Sequence, residues 1–169
     1  MQTKIFSYDK LLFFFDVKLT GGFSGIITVV CLYLGIAGRV NRGILFFIAL
    51  IAFYTFWNSF IGKCNTQQVK ISETTLSFES LGREDSYKID EIKKIRVREF
   101  PTGGKMYIRI NDYNLLKGRY WVQFKKFNDG QDLMRQILDI EYKIHPETLK
   151  ARARRVNTQY LELEKKRGQ

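Results

Sequence analysis

LTGGFSGIITVVCLYLGIAG (residues 19–38) and GILFFIALIAFYTFWNSFIG (residues 43–62) are separated only by Arg39-Val40-Asn41-Arg42. Neither stretch contains an acid, a base or a histidine. At about 1.5 Å per helical residue, some 20 residues match the roughly 30 Å hydrocarbon core of a bilayer. In a soluble protein both helices would have to be covered on every side, and the 107 residues that follow are too few to do it. The pair predicts a transmembrane helical hairpin over 19–62. Transport pathways and proton relays need ionisable groups inside the membrane, so the hairpin reads as an anchor.

Outward from the hairpin the composition changes. The mean hydropathy of −0.21 conceals the split. Residues 1–62 carry five basic and two acidic side chains, and residues 63–169 carry 23 and 15, giving net charges of +3 and +8. The longer part suffices for one small core, so one soluble domain is expected. A secretory signal peptide is not expected, because the apolar stretch starts late and a second follows at once. Cys31 lies within the first span and Cys64 just past the second, which argues against a disulfide between them. Cys64 reads as an apolar cysteine, with lipidation as the alternative. Lys4, Lys10, Lys18, Lys63 and Lys70 outnumber Arg39 and Arg42 of the turn. The positive-inside rule then puts both termini and the domain in the cytoplasm, or on the equivalent side of an organelle membrane.

Residues 1–18 mix bulky apolar groups with spaced charges and predict a short interfacial helix, with a partner-binding helix as the alternative. Gly21 and Gly25 form a G-x-x-x-G, and Gly35 and Gly38 add small surfaces. Packing of the two hairpin helices on each other is the expected use, oligomerisation the other.

From Thr66 the period becomes two. Apolar residues alternate with polar ones around Val69 and Ile71, Leu76 and Phe78, Tyr87 and Ile89, Ile95 and Val97, Met106 to Ile110, and Tyr120 to Phe124. Turn signals such as Leu81-Gly82-Arg83 and Pro101-Thr102-Gly103-Gly104 separate these short strands. An antiparallel arrangement with one wet face follows. After Asn128-Asp129-Gly130, where either of the first two residues can cap, Leu133, Met134, Ile137, Leu138 and Tyr142 fall on one helical face. His145-Pro146 ends that helix. Over 146–169 a basic amphipathic helix is expected, with Leu149, Ala153, Val156, Tyr160 and Leu163 as a partner-facing stripe. Docking on the domain, pairing with a partner helix and lying on anionic lipid are its open uses.

Strands followed by one closing helix are the element order of a pleckstrin-homology-like barrel. Val69-Lys-Ile-Ser-Glu-Thr-Thr-Leu-Ser-Phe, Tyr87-Lys-Ile-Asp-Glu-Ile-Lys-Lys-Ile and Phe127-Asn-Asp-Gly-Gln-Asp-Leu resemble the bacterial PH-like domain family, whose members often follow a pair of transmembrane helices. The resemblance covers about residues 44–145 and implies a PH-like antiparallel barrel over 63–145. A weaker, architectural similarity is to the photosystem I assembly proteins of chloroplasts and cyanobacteria, which also carry a strand-rich domain after two spans. Both resemblances imply scaffolding or assembly work and supply no catalytic residue. The fold class expected is a membrane α-helical hairpin plus an α+β domain.

The inventory of residues points away from catalysis. His145 is the only histidine and precedes a proline. No C-x-x-C, H-E-x-x-H or phosphate-loop pattern occurs, and no nucleophile has an evident base beside it. Gly103-Gly104 is a hairpin turn, and Glu84-Asp85 and Asp90-Glu91 read as solvated strand ends. No cofactor or metal is expected.

A four-residue turn over 101–104 has a consequence for register. It sets Phe100 opposite Lys105, Arg98 opposite Tyr107, and Arg96 opposite Arg109, with Ile95 and Val97 meeting Ile110 and Ile108 on the other face. The wet face then carries Lys94, Arg96, Arg98, Tyr107 and Arg109, and a following strand adds Arg119, Trp121 and Lys125. Like charges directly opposite each other destabilise a sheet, so this face calls for an anion. Candidates are Glu79 or Glu84 of a neighbouring strand, an acidic segment of a partner, or anionic lipid headgroups; nucleic acid is a weak fourth. The function expected is a non-catalytic membrane-anchored scaffold, accessory subunit or assembly factor of a larger membrane complex. The alternative is a module that recognises anionic lipid at the membrane surface, and a small lipid-acting enzyme is a minor third.

Overall fold

A computed structural model describes residues 3–38, 41–150 and 153. Helix α1 (Lys10–Ala37) and helix α2 (Arg42–Ile61) form the hairpin, and both are long and apolar enough to cross a membrane. Only 22% and 17% of their apolar stretches are covered by the rest of the chain, whereas the core helix of a soluble protein would be mostly covered. Asn41 caps α2, its side-chain oxygen accepting the Gly43 N–H at 3.0 Å. The glycines serve the hairpin itself. A Cβ on Gly21 would lie 2.8 Å from Phe60 and Ser59, and one on Gly25 3.0 Å from Phe56, so α1 and α2 pack backbone against side chain.

The seven strands are β1 (Lys4–Ser7), β2 (Gln68–Ile71), β3 (Thr75–Ser80), β4 (Arg83–Lys88), β5 (Ile95–Phe100), β6 (Lys105–Ile110) and β7 (Arg119–Val122). They form two antiparallel sheets, β1-β2-β3-β4 and β5-β6-β7. Helix α3 (Gly130–Ile144) follows, with Leu133 and Ile137 fully buried against both. The structure is α+β.

Three expectations need correction. The helix expected over 1–18 begins only at Lys10, as the start of α1. Phe6 and Tyr8 are buried while Ile5 and Ser7 face out, a period of two that makes Lys4–Ser7 an edge strand on β2. Asp9 then caps α1 by accepting the N–H groups of Leu11 and Leu12. The first turns of α1 put Phe13 and Val17 into the domain core. The hairpin is thus inserted between the first and second strands of one sheet.

Second, the barrel is not closed. The outer edge of β5, which would have to pair onward, is occupied by α3. Glu141 Oε1 accepts the Val97 N–H at 2.7 Å, and His145 Nε2 accepts the Ile95 N–H at 3.1 Å. Lys150 completes this seal, lying 2.7 Å from Glu99 and 3.0 Å from Glu141. Burial alone would lower its pKa, but hydrogen bonds to the two carboxylates outweigh it and hold the ammonium above its ordinary value. Third, the last strand is shorter than its alternation suggests: after Val122 the chain turns, and Phe124–Lys126 is a 3₁₀ turn. That turn touches the start of α3. A Cβ on Gly130 would fall 1.7 Å from the Phe124 carbonyl oxygen, so only glycine fits there.

The C-terminal stripe falls mostly outside the described residues. Of its members Leu149 and Ala153 are described, both helical and exposed, and Val156, Tyr160 and Leu163 lie beyond them.

Candidate functional site

The β5–β6 register is the one the turn length requires: Phe100 opposite Lys105, Arg98 opposite Tyr107, and Arg96 opposite Arg109. Strand β7 adds Trp121 opposite Tyr107 and Arg119 opposite Arg109. Two rows therefore cross the outer face of this sheet, Arg96-Arg109-Arg119 and Arg98-Tyr107-Trp121. Ile95, Val97, Ile108, Ile110 and Tyr120 are buried on the other side. Lys94 lies just before β5, exposed, with its backbone held by Asn111. Lys125 leaves the strand with the 3₁₀ turn. It packs over Gly104, and its Nζ reaches the Thr102 carbonyl at 3.4 Å.

The neighbouring acids do not neutralise this face. Glu79 and Glu84 stand opposite each other on β3 and β4, and both are taken by Lys70, whose Nζ is 3.5 Å from Glu79 and 2.9 Å from Glu84. Among the described residues, Arg96 and Arg98 meet no acid. Arg109 relies on aromatic rings: its guanidinium lies 5.0 Å from the Tyr107 centroid and 4.7 Å from that of Tyr113, and it donates to the Tyr113 hydroxyl at 3.0 Å. Arg119 donates to the Leu115 carbonyl at 2.9 Å. The Nε atoms of both Arg109 and Arg119 are buried without an acceptor.

Arg98, Arg109 and Arg119 line a cavity of about 240 Å³ together with Tyr54 and Asn58 of α2, Cys64, Phe100 and the tilted pair Tyr107 and Trp121, whose ring centroids are 4.7 Å apart. Tyr54 and Asn58 belong to the last two turns of α2, so the cavity sits where the second apolar helix ends. The Cys64 thiol is pushed up by burial, against a smaller opposing pull from Arg119 and Arg83. A wider cleft of about 730 Å³ adjoins it between α2 and the β5–β6 turn, lined by Tyr54, Asn58, Phe100, Pro101 and Trp121 among others.

Several contacts hold the domain against the hairpin. Arg83 donates to the Gly62 carbonyl at 3.0 Å, Lys63 to the Leu81 carbonyl at 3.1 Å, and Tyr8 to Asp16 of α1 at 2.6 Å. The sequence reading found the arginine rows and missed Tyr54, Asn58, Cys64 and Tyr113. One signal was present for the loop between β6 and β7: Leu115-Leu116, an exposed apolar pair in an otherwise polar stretch.

Fold and site together define an α+β domain of two antiparallel sheets that presents an arginine-rich face beside the end of a long apolar helix. Compared with known protein families, curated proteins and solved structures, the chain matched none of them.

Proposed function

We propose that this chain is a non-catalytic, membrane-anchored module that recognises the anionic surface of its own membrane. One observation carries the reading: the row Arg96-Arg109-Arg119 crosses three strands without an acid among the described residues, beside the end of α2. A like-charged row of this kind is costly unless an anion meets it. Each basic side chain held near an anionic leaflet gains roughly 1 kcal/mol, so a tethered domain with such a face settles onto its own membrane. The hairpin crosses the bilayer in this reading. The lysines flanking it favour the cytoplasmic side for the domain. A relationship to bacterial PH-like domains accords with the strands and single closing helix, with the hairpin entering after the first strand.

A second reading, a subunit of a larger membrane complex, draws on the 730 Å³ cleft, which is open to a segment of another protein. Hydrogen exchange of the full chain in nanodiscs separates the two. In membranes containing phosphatidylglycerol, residues 95–110 should exchange more slowly than in pure phosphatidylcholine, and added salt should remove the difference. Equal exchange in both membranes, at every salt concentration, would sink the lipid reading. A protein that co-purifies in stoichiometric amount and protects the same residues in neutral lipid would establish the second.

A further inference from the structure

We infer that the 240 Å³ cavity is a site for the phosphate of one anionic phospholipid, whose acyl chain lies along α2. This rests on the membrane-surface reading and narrows it from a charged face to one bound molecule. Three guanidinium groups, from Arg98, Arg109 and Arg119, line the cavity, and no carboxylate does. Guanidinium is a planar fork that suits phosphate oxygens. The buried Nε atoms of Arg109 and Arg119 are donors of that fork still lacking an acceptor. Both side chains are thus incompletely satisfied within the chain.

The surroundings select a lipid over a free anion or an acidic peptide. A groove of about 560 Å³ begins at Tyr54, the residue it shares with the cavity, and is lined by Leu50, Ile51, Phe53, Trp57 and Leu115. On α2 the groove spans Leu50 to Trp57, about 10 Å at 1.5 Å per residue, within the apolar stretch. Trp57, whose buried Nε1 is a third donor without a partner, lines the groove. A glycerophospholipid presents a phosphate, then ester carbonyls, then a chain. Arginines line the cavity, apolar side chains line the groove that adjoins it at Tyr54, and Leu115 joins the groove from the β6–β7 loop.

The test is native mass spectrometry of the full chain in detergent with dioleoyl phosphatidic acid, phosphatidylglycerol or phosphatidylcholine, and separately with inorganic phosphate. One anionic phospholipid should be retained per chain, with phosphatidylcholine bound about tenfold more weakly. R109Q together with R119Q should weaken retention by about tenfold or more. R98Q alters a side chain with no partner among the described residues, so it should keep the fold and weaken retention as well. R135Q removes the same charge from the exposed side of α3, away from the cavity, and should leave retention unchanged. Leu115→Ser should weaken dioleoyl lipids more than their dibutyryl analogues. Retention unaffected by R98Q and by the double variant would overturn the site. So would binding of inorganic phosphate alone. Equal losses in R135Q and R98Q would also overturn it, while leaving salt-dependent exchange of the whole face, and hence the broader reading, intact.

Discussion

The two sheets of this domain handle like charges in opposite ways. On β3 and β4, Glu79 stands opposite Glu84, and Lys70 from β2 sits between them. On β5, β6 and β7, Arg96, Arg109 and Arg119 stand in one row, attended by aromatic rings, the Tyr113 hydroxyl, the Leu115 carbonyl and the Cys64 sulfur, with no acid among the described residues. The first sheet solves its repulsion within the chain. The second leaves it open at the end of the apolar helix, where an anionic headgroup would lie. A strand pair that repels itself is tolerable where something outside the chain completes it, and this is why the second sheet is read as functional and the first as structural.

The comparison depends on the two sheets being one body, and the largest prediction attacks that joint. Tyr120 of β7 is fully buried, stacks on Phe78 of β3 at 4.2 Å, and donates to Asp85 of β4 at 2.8 Å, with the Tyr87 hydroxyl beside it. Tyr120→Ala removes a large buried side chain and leaves Asp85 with Arg83 as its remaining partner, a loss of about 3–5 kcal/mol. Protection of β3 and of β6 in hydrogen exchange should fall together. Loss confined to the sheet of β7 would show that the two sheets fold independently.

The same joint makes an alkaline prediction. The phenols of Tyr120 and Tyr87 are held above their ordinary value, chiefly by burial, and the Lys70 ammonium is held up chiefly by its hydrogen bond to Glu84. In the unfolded chain tyrosine ionises near 10.0, whereas the folded phenols stay protonated. Their contribution is complete below that pH and is lost as pH rises above it, at about 1.4 kcal/mol per pH unit for each proton. Lys70 acts in the same direction from 10.5 upward. Unfolding measured between pH 9 and pH 11 should show stability falling as this window is entered, and Tyr87→Phe should flatten the slope. An unchanged slope in that variant would remove Tyr87 from the account.

What could be read from the sequence divides along locality. The hairpin was legible because each of its helices is an uninterrupted apolar run of consecutive residues, a local pattern. The β5–β6 register was legible because a four-residue turn and strict alternation leave one pairing that buries Ile95 and Val97. Strand β1 was not. Its alternation lasts only from Lys4 to Tyr8, and its partner Gln68–Ile71 lies across the whole hairpin. The closed barrel was overdrawn for a similar reason: the groups that seal β5, Glu141 and His145, come from a helix more than 40 residues away. In the site, the arginine rows follow from pleat parity. Tyr54, Asn58 and Tyr113 join them only through tertiary packing, which no periodicity encodes.

The smallest prediction is the sharpest, because it asks for opposite responses from matched substitutions. Lys70→Ala leaves Glu79 and Glu84 facing each other with no cation between them. The three side chains are partly exposed, so the loss should be about 0.5–1 kcal/mol, seen as a lowered melting temperature in neutral detergent. Arg96→Gln also removes one positive charge, but it relieves repulsion with Arg109 and breaks no ion pair among the described residues. Melting should stay unchanged or rise slightly, within about 0.5 kcal/mol. High salt should shrink both effects, since each is Coulombic at a partly exposed surface. A drop for Arg96→Gln as large as that for Lys70→Ala would mean that Arg96 has an acidic partner in the folded chain. The second sheet would then be neutralised internally like the first, and the case for an external anion along that row would fall with it.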